Sequence, residues 1–127
     1  MSAHEQCPDE PCTNSMGHVY RVPNTHLDIN VVENMDHYCV FTGCDEKQRF
    51  AFLHKGTSKI KPKYKAFYTI VEPNLEENGL SKPTAFEHIP KIVKLHKVKL
   101  YYPERHIGKL NQSDLERLLG AIQQGLA

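Results

Sequence analysis

No apolar run in this 127-residue chain is long enough to cross a membrane. The N-terminus also lacks the charged-then-apolar pattern of a secretory leader, so a cytoplasmic location is expected. Residues 1–15 are polar and hold Pro8 and Pro11; they offer nothing to bury and read as a disordered tail. The rest, 16–127, is one domain's worth of chain with a single modest core. Met16-Gly17 directly before the first strand pattern makes an internal start codon possible. No repeat or low-complexity tract is visible.

Cysteine is scarce: four residues in two Cys-x4-Cys pairs, Cys7/Cys12 and Cys39/Cys44. Zinc knuckles usually have two intervening residues and sit in turns. Cys39 instead falls in an apolar strand, where residues five apart face opposite sides. The expectation is therefore buried or free thiols, no metal and no cofactor; without a secretion signal, disulfides are not expected either. His18, His26, His54, His88, His96 and His106 show no mutual spacing that points to a metal site.

Net charge is only +1, but it is lopsided: residues 1–46 sum to −7 and residues 47–127 to +8. Such asymmetry fits a nucleic-acid face or a self-complementary arrangement. The cations concentrate after Phe50-Ala51-Phe52-Leu53, an apolar strand running into the turn Gly56-Thr57-Ser58. Lys55, Lys59, Lys61, Lys63 and Lys65 follow that strand with no acid among them. Small hydroxyls beside fixed positive charge suit a phosphate or a nucleic-acid backbone; a solvated lysine loop on an ordinary β-protein is the plainer alternative.

Alternation predicts a first strand over 17–22, broken by Pro23, then a long loop over 23–36 with one apolar pair, Val31-Val32. His37 to Thr42, HYCVFT, reads as a central strand covered on both faces. A hairpin turn over 43–47 leads to the strand 49–54, and Pro62 stops pairing beyond it. Strands are predicted over 66–72, 84–88 and 105–110, with a turn over 73–80 ended by Gly79. Residues 92–102 shift parity, which a bulge near His96-Lys97 would produce. Leu115, Leu118, Leu119, Ile122 and Leu126 form one helical stripe, and Ser113 with Glu116 is a capping-box pattern over a helix from about 113 to 124. The architecture expected is a small, strongly curved, mostly antiparallel barrel closed by a C-terminal helix.

The order of these features resembles the MazF/PemK-type toxins of toxin–antitoxin pairs. Gly17-His18-Val19-Tyr20 is similar to that family's G-x-[IV]-[WY] opening, and Phe52-Leu53 running into Thr57-Ser58-Lys59 to its strand ending in T-[ST]. Gly79-Leu80-Ser81-Lys82-Pro83-Thr84 resembles its G-L-x-K-x-[ST] segment. Ile89, Ile92, Leu100, Ile107-Gly108-Lys109-Leu110 and Asp114 resemble its tail. The resemblance spans 17–126 and rests on order and spacing rather than on any single motif. It implies an SH3-like barrel, a homodimer, a cognate antitoxin, and metal-independent cleavage of single-stranded RNA at short sequences.

The family's catalytic arginine sits at the entry to the second strand, and this sequence has Asp36-His37 there. The resemblance carries the hydroxyl partner over to Thr57 or Ser58. Cleavage by 2′-OH attack needs a base, an acid and charge stabilisation at phosphorus. His37 has the reference pKa for base or acid, and Lys55 or Lys59 the charge to hold phosphate. Lys61, Lys63 and Arg21 extend the expected RNA-binding set; Arg21 and Arg105 are also spare candidates for the missing arginine. Tyr101 and Tyr102 are candidates for base stacking or for packing. The alternative function is the same barrel binding nucleic acid or a protein without cutting; a weaker third is an accessory protein whose barrel is only an assembly surface.

Overall fold

A computed structural model describes residues 16–27, 36–45, 47, 49–61, 66–99 and 104–126. The 1–15 tail, Val31-Val32, Pro62, Lys63, Lys65 and Tyr101-Tyr102 lie outside the described residues.

The chain is mainly β. Its strands are β1 (His18–Pro23), β2 (Asp36–Cys44), β3 (Phe50–Thr57), β4 (Tyr68–Val71), β5 (Thr84–Glu87), β6 (Lys91–Lys94) and β7 (His106–Lys109). They form one curled antiparallel sheet in the order β4-β5-β3-β2-β1-β7, with β6 paired to β3. The result is a curved, half-closed barrel. Short helices α1 (Asn24–Leu27) and α2 (Leu95–Lys99) flank it, and the long helix α3 (Gln112–Leu126) packs on it.

Strand alternation explains why β2 is so apolar. Cys39 and Phe41 join Tyr20, Val22, Ala51, Leu53, Val93, Leu95 and Val98 in one core. Val40, between them, faces a second core with Val19, Val71, Leu80, Phe86, Leu110, Leu115 and Leu118. The strand is thus buried on both faces, as HYCVFT predicts. Leu115 and Leu118 seat α3 in the second core, with Leu119 and Ile122 at its margin. Burying each leucine side chain contributes about 1.5–3 kcal/mol relative to leaving it exposed.

Several expectations change. Pro23 does not break the first strand but ends it paired with Asp36, and residues 24–27 of the expected 23–36 loop form α1. The parity shift after Ile92 is not a bulge: β6 ends at Lys94, and residues 95–99 turn into α2. Leu95 and Val98 are three apart and both buried, so the apolar spacing there is helical. The cap of α3 is Asn111, whose Oδ1 accepts from the Asp114 N–H at 2.7 Å, so the helix starts at Gln112 rather than after Ser113. Cys44 is disulfide-bonded, against the expectation of thiols throughout, whereas Cys39 is free and fully buried.

Among the described residues two bulges shape the sheet. Phe41 pairs with Leu53 and Gly43 with Phe52, leaving Thr42 as the extra residue. Val19 pairs with Gly108 and Tyr20 with His106, leaving Ile107 as the extra residue. At this second bulge the 74–79 turn crosses β7 backbone to backbone. Gly79 holds φ +75°, and a Cβ there would run into the Ile107 carbonyl. A Cβ on Gly108 would meet the backbone of Glu77 and Asn78. Asn78, 1 % exposed, plugs this turn: its Oδ1 accepts from the N–H of Asn74 and Leu80, and its Nδ2 donates to the Glu72 carbonyl.

Candidate functional site

The β2–β3 ladder stops at the pair Cys39–Lys55. Beyond it β2 stays on β1, with Val22 paired to His37 and Pro23 to Asp36. β3 crosses instead to β5, with Gly56 paired to Phe86 and Thr57 to Ala85. Gly56 is what permits the crossing, because a Cβ there would lie 2.7 Å from both Phe86 Cε1 and Thr84 Cγ2. The parting strands open a cleft of about 370 Å³ lined by Asp36, His37, Tyr38, Gly56, Thr57, Ser58, Lys59, Ser81, Lys82 and Thr84.

His37, Thr57, Ser58 and Lys59 are therefore brought together as the sequence predicts. Lys55 does not line the cleft but acts on His37 through its charge. Arg21, on β1, and Lys61 are exposed and outside its lining. Lys63 lies outside the described residues. Ser81, Lys82 and Thr84, which are outside the expected site set, also line the cleft. Lys82 adds a second exposed ammonium to the cleft. Thr84 is buried and spends its hydroxyl on the Lys82 carbonyl at 3.0 Å, which shapes the turn carrying that lysine. Thr57 Oγ1 accepts from the Lys59 N–H at 3.2 Å, curling the other rim.

His37 is half-buried. Burial pulls its pKa below the ordinary 6.5, Lys55 pulls the same way, and Asp36 opposes them. At neutral pH the ring is thus the neutral, proton-accepting form. Its backbone carbonyl accepts from the Cys39 thiol at 3.8 Å, and burial pushes that thiol's pKa up, so Cys39 acts as packing rather than as a nucleophile. Asp36 takes a salt bridge from Arg105 Nη1 at 3.1 Å, placing one spare arginine beside the strand entry but engaged with a carboxylate.

Four other histidines have structural partners. His54, 1 % exposed, has Nδ1 2.8 Å from the Glu87 carbonyl and Nε2 2.8 Å from the Thr42 hydroxyl. The carbonyl can only accept, so Nδ1 carries the proton and Nε2 accepts from Thr42. The bulge at Thr42 aims that hydroxyl. His88 Nε2 lies 2.8 Å from Thr69 Oγ1. His18 and His106, 88 residues apart in sequence, meet at 2.8 Å across β1 and β7. Burial, then His106 and Lys109, lower the His18 pKa to about 4. A larger hollow, about 680 Å³, runs between α3 and the residues around β4 and β5, past the exposed Phe67 and Ile89. It offers apolar surface rather than convergent hydroxyls and ammonium groups, so the smaller cleft is the better candidate for chemistry.

No protein-family model matches the sequence, and no curated protein is significantly similar to it. No helix among the described residues is long and apolar enough to cross a membrane.

Proposed function

We propose that the cleft binds the phosphodiester backbone of single-stranded RNA and cleaves it in the manner of a MazF/PemK-like toxin. The observation that carries this reading is the convergence of a neutral-biased imidazole, two ammonium groups and small hydroxyls where β2 and β3 part. In the proposed reaction His37 takes the proton of a 2′-OH. The 2′-oxygen bonds to phosphorus and the bond to the 5′-oxygen breaks, leaving a 2′,3′-cyclic phosphate and a 5′-OH. Thr57 or Ser58 donates to the phosphate oxygens. The Lys59 or Lys82 ammonium balances the charge on phosphorus and returns a proton to the leaving oxygen. No metal takes part in this scheme.

The same reading includes a cognate antitoxin at the RNA groove and a second copy of the chain. Phe67, Ile89 and Ile92 are 64–75 % exposed, which supports an apolar contact between copies; a sedimentation mass of one chain at micromolar concentration would count against the dimer.

One observation favours the binding-only alternative: the arginine nearest the strand entry, Arg105, is held by Asp36 rather than facing a phosphate unopposed. Labelled single-stranded RNA incubated with the protein in EDTA separates the two. Cleavage is expected, and His37→Ala should lower its rate about 10²–10⁴-fold with RNA affinity retained. The rate should rise with pH through an apparent pKa below 6.5, because the base must be unprotonated. Salt-sensitive binding without cleavage would establish the binding-only barrel. Full activity in His37→Ala would move the base elsewhere.

A further inference from the structure

A second constellation lies away from the cleft, on β1 and the edge strand β7. His18 Nδ1 and His106 Nε2 stand 2.8 Å apart, with ring centroids separated by 4.9 Å. The His106 ring also donates to the backbone carbonyl of Gly108, and Tyr20, 3 % exposed, packs edge-on against it at 5.4 Å. The bulge at Ile107 creates this meeting, since it brings His106 opposite Tyr20, in line with His18 two residues earlier on the same face.

We propose that His18 and His106 form an open two-histidine site for a borderline transition-metal dication, Zn2+ being the reference ion. Imidazole nitrogens are the preferred ligands of such ions. A ring nitrogen held by a backbone carbonyl is the arrangement that fixes orientation in metal-binding histidines, and His106 has it. Two imidazoles on one tetrahedral ion, with bonds of about 2.0–2.1 Å, sit about 3.3 Å apart. The rings therefore need to part by about half an ångström and to turn so that their lone pairs converge on the ion. The proton between them moves to the remaining nitrogen of His18, so both rings stay neutral and two lone pairs face the ion. Among the described residues no group of three or more His, Cys, Asp or Glu is placed to hold a metal, so water fills the remaining positions and the ion stays exchangeable.

The test is a ZnCl2 titration of the full chain followed by nitrogen-15 NMR of the imidazole rings, which reports each histidine separately. The ring signals of His18 and His106 should move together and saturate. His18→Ala and His106→Gln should each weaken Zn2+ binding at that site by at least about tenfold. Both ring signals staying fixed while Zn2+ binds elsewhere would overturn the proposal, as would affinities in both variants within threefold of the unmodified chain. The NMR arm needs no variant, so a substitution that unfolds the protein still leaves the site tested.

Discussion

Replacing Gly56 by alanine tests the crossing that opens the cleft. The added Cβ would sit 2.7 Å from Phe86 Cε1, 2.7 Å from Thr84 Cγ2 and 2.9 Å from Phe86 Cδ1. Ordinary carbon contacts lie near 3.5–4.0 Å, so about an ångström of separation must be found. Neither neighbour has room to withdraw. Phe86 is fully buried in the core under α3, and Thr84 is 2 % exposed with its hydroxyl tied to Lys82. Overpacking of this kind costs about 1–3 kcal/mol. At about 4 °C per kcal/mol for a domain of this size, calorimetry should show Tm falling by about 4–12 °C. The cost should also be coupled to Phe86. In Gly56→Ala/Phe86→Leu the clashing ring atoms are gone, so the double variant should lose at least about 1 kcal/mol less than the two single losses added together. A Gly56→Ala protein melting within about 1 °C of the unmodified chain, or strict additivity, would refute the close approach of β3 to β5.

Asn78→Ala removes three hydrogen bonds from a nearly solvent-free site and should cost about 3 kcal/mol or more by urea unfolding, because backbone groups of residues 72, 74 and 80 lose their partner. His54 has its pKa lowered, chiefly by burial, so the unfolded chain binds the extra proton below its ordinary 6.5. Stability from this group is full above pH 6.5 and should decline as pH falls below it; a His54→Gln protein should show a smaller loss between pH 7 and pH 5. Lys59→Ala/Lys82→Ala should weaken RNA binding and reduce the slope of log affinity against log salt by about 1.4, two phosphate contacts at about 0.7 each on a single strand, while His37→Ala leaves that slope unchanged.

The parts of the fold legible in sequence were those where periodicity had one meaning. HYCVFT carries apolar residues at consecutive positions, and only a strand covered on both faces uses them all. The stripe from Leu115 to Ile122 has helical spacing and nothing else. Residues 92–99 were ambiguous because Leu95 and Val98 satisfy either a bulged strand or a turn of helix, and the first core decides for the helix. The cap moved to Asn111 because Asn and Ser are both good capping residues and spacing alone does not choose between them. At the cleft, His37, Thr57, Ser58 and Lys59 were readable from two stretches. Lys82 was not, since its arrival depends on β5 pairing with the end of β3. The His18–His106 pair depends on a bulge at Ile107 that no local signal announces.

The two ends of the β4-to-β7 path have a bearing on how the molecule meets its own copies in a crowded solution. An exposed strand edge is a template for another strand, and the route to fibrils and domain exchange. At the β7 end the Lys109 N–H is taken by the Glu77 carbonyl, on the turn where Gly79 and Gly108 allow backbones to touch. At the β4 end the Ile70 carbonyl accepts from Arg117 Nη2 at 2.9 Å, and the same guanidinium reaches Asp114 at 2.7 Å. Each rim thus has a backbone group already occupied by its own chain. That leaves fewer open main-chain groups at either rim for an incoming strand to pair with.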